Sequence, residues 1–219
     1  KIKESFNRRF FDPERCGYGY QGSDGVALRY GLVPDGLYDK VAADYVRILK
    51  DDGFAMYTGI YCNKHTVPAL TELGYGREML DLLFSKNNKN FAFMLDNGAT
   101  SLWECFDLPE TNLSVASLNH PMQGAFTCWF YSHILGLTPS EEAPGFKKFN
   151  VRPYVIDGIN AASGSYKSQY GNIAINWNVS GGVFSIDVEV PANTVALIEL
   201  PGGSKIEAGS GKHSYSEKL

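Results

Sequence analysis

IAINWNVSGGVFSIDVEV, residues 173–190, reads as two strands joined by a tight turn. Ile173, Ile175, Trp177 and Val179 alternate with polar residues, and so do Phe184, Ile186, Val188 and Val190 after Gly181-Gly182. Alternation at period two puts one set of side chains on a single sheet face, and a Gly pair supplies the backbone freedom of a two-residue hairpin turn. Working outward, Val195 to Leu200 is a third run, bounded by Pro191 and Pro201. The Gly- and Ser-rich tail carries one edge strand, Lys212 to Tyr215, and the period-two region opens at Gly145. These runs predict an antiparallel β module arranged as a sandwich.

Upstream the period changes to that of helices. Residues 2–10 form one helical stretch, ended at Asp12-Pro13, and Asp24 to Leu32 forms another, stopped at Val33-Pro34. Leu37, Val41, Tyr45, Ile48 and Leu49 recur at helical spacing ahead of Gly53. A helix around Lys64 to Leu73 ends at Gly74, and Met79, Leu80, Leu82 and Leu83 give a short one after it. Asn119 is placed to cap a last helix, whose stripe is Met122, Phe126, Trp129, Phe130, His133 and Ile134 and which ends at Gly136. A series of amphipathic helices of this kind predicts a bundle, a toroid or a solenoid.

Composition narrows the function. The 219 residues are 44% hydrophobic and 20% charged, the balance of a folded globular chain. A net charge of −4 without a basic run argues against nucleic acid, whose phosphates need clustered Lys and Arg. No apolar run reaches membrane-spanning length. Cys16, Cys62, Cys105 and Cys128 form no CxxC pair, so they read as buried free thiols and not as a zinc site. No HExxH, phosphate loop or dinucleotide fingerprint is present, and neither metal nor cofactor is implied. The chain starts at Lys1, inside a helical pattern and without Met or signal peptide, which leads us to expect a portion of something longer.

One stretch stands out chemically: DNGATSLWECFDLPETNLSVASLNHPMQGAF, residues 96–126. It sets Glu104 between Trp103 and Cys105-Phe106, and a carboxylate within an apolar run needs a partner or a job. Glu104 is either a solvent-facing residue on a half-buried element or an acid or base at a pocket mouth. Glycoside hydrolysis requires a second carboxylate, for which Asp96 and Asp107 are candidates. Asp107 is too near in sequence to serve as the other half of an inverting pair, whose carboxyls stand roughly 6.5–9.5 Å apart. His120 is either structural or a donor to a sugar hydroxyl. Trp103, Tyr57 and Phe106 are either core or stacking platforms for a sugar face. His133 reads as core, and His65 and His213 show no partner in the sequence.

TGIYCNKHTVPALTELG (58–74), DNGATSLWECFD (96–107) and SLNHPMQGAFTCWFY (117–131) together resemble glycoside hydrolase family 78, the bacterial α-L-rhamnosidases. YGYQGSDGVALRYGLVPDG (18–36) fits the same family where its members enter the second half of an (α/α)6 barrel. PGFKKFNVRP (144–153), SYKSQYGNIAINW (165–177) and VEVPANTVALIELP (188–201) resemble its C-terminal sandwich. The resemblance implies that residues 1–140 are the C-terminal half of the barrel domain and residues 141–219 a β-sandwich domain. It implies inverting release of terminal α-L-rhamnose from a rhamnosylated small molecule or polysaccharide, with Glu104 as general base. It further implies that His120 contacts the bound rhamnose, that Trp103 helps wall the pocket and that the general acid lies upstream of Lys1; Tyr57 is added to the substrate-binding candidates for its ring. Cys105 departs from the Arg that many members carry there. Without its other half the barrel is expected to be inactive and to self-associate. A periplasmic or extracellular location is favoured over a cytoplasmic one. Two further readings remain: another (α/α)6-barrel carbohydrate enzyme, or a non-catalytic carbohydrate-binding module.

Overall fold

In the computed structural model, which describes residues 1–86, 89–106 and 116–219, the chain divides into two compact units, Lys1–Thr127 and Cys128–Leu219. The first is helical: α1 Ile2–Phe10, α2 Gln21–Arg29, α3 Tyr38–Asp51, α4 Gly59–Glu72, α5 Gly76–Phe84 and α6 Phe91–Asp96, followed by a 3₁₀ turn, Pro121–Thr127. The buried faces of α3 (Val41, Ala42, Tyr45, Val46, Leu49) and α5 (Met79, Leu82, Leu83) follow the apolar stripes of the sequence.

The boundaries differ where packing overrides pattern. α2 begins three residues before Asp24 and ends at Arg29, ahead of the Val33-Pro34 stop. Gly31 takes φ +65°, and Leu32 N–H returns to the Ala27 carbonyl at 2.9 Å, which closes the helix early. α4 starts at Gly59 and not near Lys64, because its first turn exposes Tyr61 and so carries no apolar stripe. α6 was too short to show periodicity. It is set by Asn90, whose Oδ1 accepts from Phe93 N–H at 3.0 Å while its Nδ2 donates to the Ser85 carbonyl at 2.6 Å.

The expected last α-helix is replaced by the 3₁₀ turn and then a π turn, Phe130–Ile134. Asn119 is not its cap; its N–H donates to Ser117 Oγ at 3.1 Å, and the turn opens at Pro121. The change in winding breaks the 3.6-residue stripe: Phe126, Trp129, His133 and Ile134 are buried, but Met122 and Phe130 are exposed.

The tightest helix contact is α2 against α4. A Cβ on Gly25 would fall 2.0 Å from Thr66 Oγ1, and one on Gly22 would fall 2.8 Å from both Cys62 Sγ and the Thr58 carbonyl. Ahead of this crossing, Asp24 is buried and accepts from Tyr18 N–H at 2.7 Å. Burial raises its carboxyl pKa above 3.8, against the lowering effect of that hydrogen bond and of Arg15.

The second unit starts with the π turn because that turn packs on the strands: Trp177 Nε1 donates to the Ile134 carbonyl at 2.8 Å. Its strands are β1 Leu137–Pro139, β2 Lys148–Val151, β3 Ala161–Ser168, β4 Gly171–Ser180, β5 Val183–Val190, β6 Val195–Glu199, β7 Lys205–Ala208 and β8 Gly211–Lys218. They form two four-stranded sheets, β1-β2-β6-β7 and β3-β4-β5-β8, the layers of a sandwich. The hairpin of residues 173–190 pairs Trp177 with Ile186 and Ile175 with Val188, so the two apolar sets share a face. β8 is an edge strand, as its sequence suggests. All pairings are antiparallel except β2 with β6, which run parallel.

No cysteine is in a disulfide, but only Cys16 is buried; Cys62 is half-buried, and Cys105 and Cys128 are exposed on elements whose inward positions are taken by Trp103, Phe106 and Trp129. Among the described residues no helix is long and apolar enough to cross a membrane.

Gly25→Ala forces Thr66 aside in a packed crossing, so it is expected to destabilise the protein by about 1–3 kcal/mol in denaturant unfolding. Asp24 has the opposite sign from most carboxylates. Its folded pKa is raised, so its contribution to stability is full below about pH 4 and is lost as pH rises through the folded value. Asp24→Asn, which keeps the acceptor for Tyr18, is expected to melt with the parent at pH 3 and above it at pH 7.

Candidate functional site

Two segments of the helical unit lie side by side after α6. Glu104 N–H donates to the Ser117 carbonyl at 2.8 Å, His120 N–H to the Leu102 carbonyl at 2.7 Å, and Ser101 Oγ to the Leu118 carbonyl at 2.6 Å. This short ladder is the local reason that Glu104 and His120, distant in sequence, share one place. The Glu104 carboxylate folds back on the same ladder, its Oε2 accepting from Ser117 N–H at 2.9 Å. His120 Nδ1 lies 3.8 Å from that oxygen, within ion-pair reach and beyond hydrogen-bonding distance.

Both groups are half-buried: 36% of the Glu104 side chain and 22% of the His120 side chain remain exposed. The carboxylate therefore reaches solvent while one oxygen is fixed by a backbone donor, an arrangement suited to taking a proton from water. His120 Nε2 is buried and has no hydrogen-bond partner among the described residues. A buried imidazole nitrogen left in that state costs free energy, so it calls for a polar partner from beyond the described residues.

The ladder is tied to the helices by amides. Gln123, in the 3₁₀ turn, donates from Nε2 to the Glu104 carbonyl at 2.7 Å, and its N–H donates to the His120 carbonyl at 3.1 Å. Its Oε1 accepts from Asn63 Nδ2 of α4 at 2.9 Å. Asn63 and Gln123 are 0% and 1% exposed.

The aromatic candidates separate. Trp103 is buried, and Phe106 is core, its ring edge-on to Phe91 at 5.1 Å. Tyr57 is exposed, with its N–H donating to Gln21 Oε1 at 2.7 Å and the Lys89 ammonium 5.3 Å from its ring centre. Asp96 is exposed at the end of α6, and Asp107 lies outside the described residues. His133 is buried against Tyr154 in the second unit, while His65 contacts Tyr30 and His213 Nε2 meets the Gly209 carbonyl at 2.7 Å. Sequence reasoning missed Asn63 and Gln123, since a single amide on a helix carries no signal of its long-range partner. Among the described residues, no group of three His, Cys, Asp or Glu side chains is placed to hold a metal ion.

The helical unit that carries this ladder is matched over residues 1–134 by the family description called bacterial alpha-L-rhamnosidase 6 hairpin glycosidase domain. The bacterial alpha-L-rhamnosidase C-terminal domain matches residues 136–215. The chain belongs to the bacterial alpha-L-rhamnosidase family. It is 27% identical over 217 residues to an alpha-L-rhamnosidase of Alteromonas sp. (strain LOR), covering 95% of this chain and 23% of that protein. An alpha-L-rhamnosidase of Formosa agariphila is 28% identical over 211 residues, 91% of this chain and 22% of the relative. The sequence thus spans about a fifth of the length of the relatives it matches. Among solved structures, the alpha-L-rhamnosidase of Aspergillus terreus superposes with a TM-score of 0.90 at 25% identity, over 98% of this chain and 26% of that one. That of Streptomyces avermitilis, complexed with L-rhamnose, shares the fold with a TM-score of 0.88 at 24% identity, over 99% and 23%.

Glu104→Gln retains an oxygen that can accept from Ser117 N–H, so the substitution is expected to leave the unfolding midpoint nearly unchanged. Glu104→Ala, which loses that hydrogen bond and leaves the exposed Ser117 N–H to water, is expected to cost about 1 kcal/mol at most.

Proposed function

We propose that the protein carrying this sequence hydrolyses terminal α-L-rhamnosides with inversion, and that Glu104 is the general base. The observation that carries the reading is the half-buried Glu104 carboxylate, fixed by Ser117 N–H beside His120, in a chain of this family. Ionised Glu104 takes a proton from a water on the face of the sugar opposite the leaving group. The water oxygen bonds to the anomeric carbon as the glycosidic C–O bond breaks, and a second carboxyl group protonates the departing oxygen. In this reading His120 hydrogen-bonds a sugar hydroxyl, and Trp103 and the exposed ring of Tyr57 line the sugar site.

In this reading the acid comes from outside the 219 residues, since the relatives are several times longer. The isolated chain is then inactive and self-associates through helix faces meant for other parts of the barrel. The substrate is a rhamnosylated small molecule or polysaccharide met in the periplasm or outside the cell.

The decisive experiment uses the full-length protein and an aryl α-L-rhamnoside. Glu104→Gln is expected to lower kcat by about 10²–10⁴-fold, the range for a positioned proton-transfer group. NMR of the first product is expected to show the β-anomer. Retention of more than about a tenth of the parent rate would remove Glu104 from the role, and an α-anomeric first product would rule out inversion.

A further inference from the structure

Gln123 reaches both halves of the candidate site, through its side chain to the Glu104 carbonyl and through its backbone N–H to the His120 carbonyl. We infer that Gln123, oriented by Asn63, is the positioning residue that sets the Glu104 carboxylate for proton transfer; the inference rests on Glu104 being the base.

The relay has a direction that chemistry enforces. The Glu104 carbonyl can only accept, so Gln123 must turn Nε2 toward it. That leaves Gln123 Oε1 facing α4, and Asn63 must answer with Nδ2. Neither amide can flip without setting two oxygens against each other. Both side chains are nine-tenths or more buried, so water cannot substitute for a lost partner. Asn63 Oδ1 is left buried without a partner among the described residues, a cost the fold bears while the Nδ2 contact is kept.

The consequence is geometric. Ser117 N–H fixes one carboxylate oxygen, and Gln123 fixes the main chain from which that carboxylate hangs. With both ends tied, rotation of the Glu104 side chain is confined. With the Gln123 contact gone, the carbonyl of Glu104 is unsatisfied and the segment shifts to find another donor. Misplacement of a reacting group by about 1 Å costs about 10²-fold in rate. A side-chain change at Gln123 keeps the backbone N–H that reaches the His120 carbonyl, so the sugar contact proposed for His120 is kept and affinity is not what changes.

The test uses the full-length protein and an aryl α-L-rhamnoside, with Glu104→Gln run in parallel. Gln123→Met keeps length and loses the donor. It is expected to lower kcat by about 10–100-fold with KM within about threefold of the parent. Hydrogen exchange of the peptide covering residues 102–104 is expected to quicken. Gln123→Glu accepts from Asn63 but donates to the Glu104 carbonyl only as the neutral acid, so its kcat relative to the parent is expected to recover as pH falls. Should Gln123→Met not fold, Asn63→Leu removes the orienting donor alone and is expected to give the same kcat-against-KM split. Parent-like kcat in the folded variants, while Glu104→Gln is inactive, overturns the inference and leaves the base assignment standing. Equal, pH-independent losses in Gln123→Met and Gln123→Glu that follow melting temperature also overturn it, since they mark a purely structural role. An active Glu104→Gln protein overturns the base assignment, and the exchange measurement then reports separately whether Gln123 holds the segment.

Discussion

Two helices can approach as closely as α2 and α4 do only if one of them presents no side chain at the crossing. Gly22 and Gly25 meet that demand, and Thr66, Cys62 and the Thr58 carbonyl fill the space their side chains would need. The position of α4 follows from that contact. α4 carries Asn63, Asn63 orients Gln123, and Gln123 holds the main chain of both Glu104 and His120. The neighbour of Gly22 extends the same logic: Gln21 donates to the Ala55 carbonyl at 3.0 Å and accepts from Tyr57 N–H, which fixes the loop bearing the exposed ring. A backbone crossing without side chains thus bears on the placing of the loops tied to it.

Among the described residues the site shows little charge compensation. Glu104 is steadied by a backbone amide, with an imidazole at 3.8 Å and no Lys or Arg bridging it among the described residues. Support from neutral donors limits movement without placing a second charge on the carboxylate. The buried amides supply the rigidity that ion pairs supply elsewhere.

Much of this was legible in the residues, and the exceptions have physical causes. The strands around Trp177 and Phe184 were plain because each has one wet and one dry face, which writes period two into the chain. The stripes of α3 and α5 were plain for the same reason at helical period. α6 was not, being a six-residue helix set by one capping side chain. The start of α4 was hidden by an exposed first turn. The segment after Pro121 carried a helical stripe but took two other windings, so Met122 and Phe130 came to face water. Glu104 could be picked out because a charge among apolar residues is conspicuous. Asn63 and Gln123 could not, because their pairing spans 60 positions and nothing local announces it.

The parallel pairing of β2 with β6 has a kinetic consequence. β3, β4 and β5 all lie between those two strands in the chain, so their contact closes a loop that contains most of the other sheet. Neighbouring strands joined by Gly181-Gly182 meet within microseconds, whereas ends so far apart must first surrender the entropy of everything between them. Topology thereby sets an expected order of assembly: the hairpins first, and the β2–β6 seam after the enclosed strands have shortened the path between its edges.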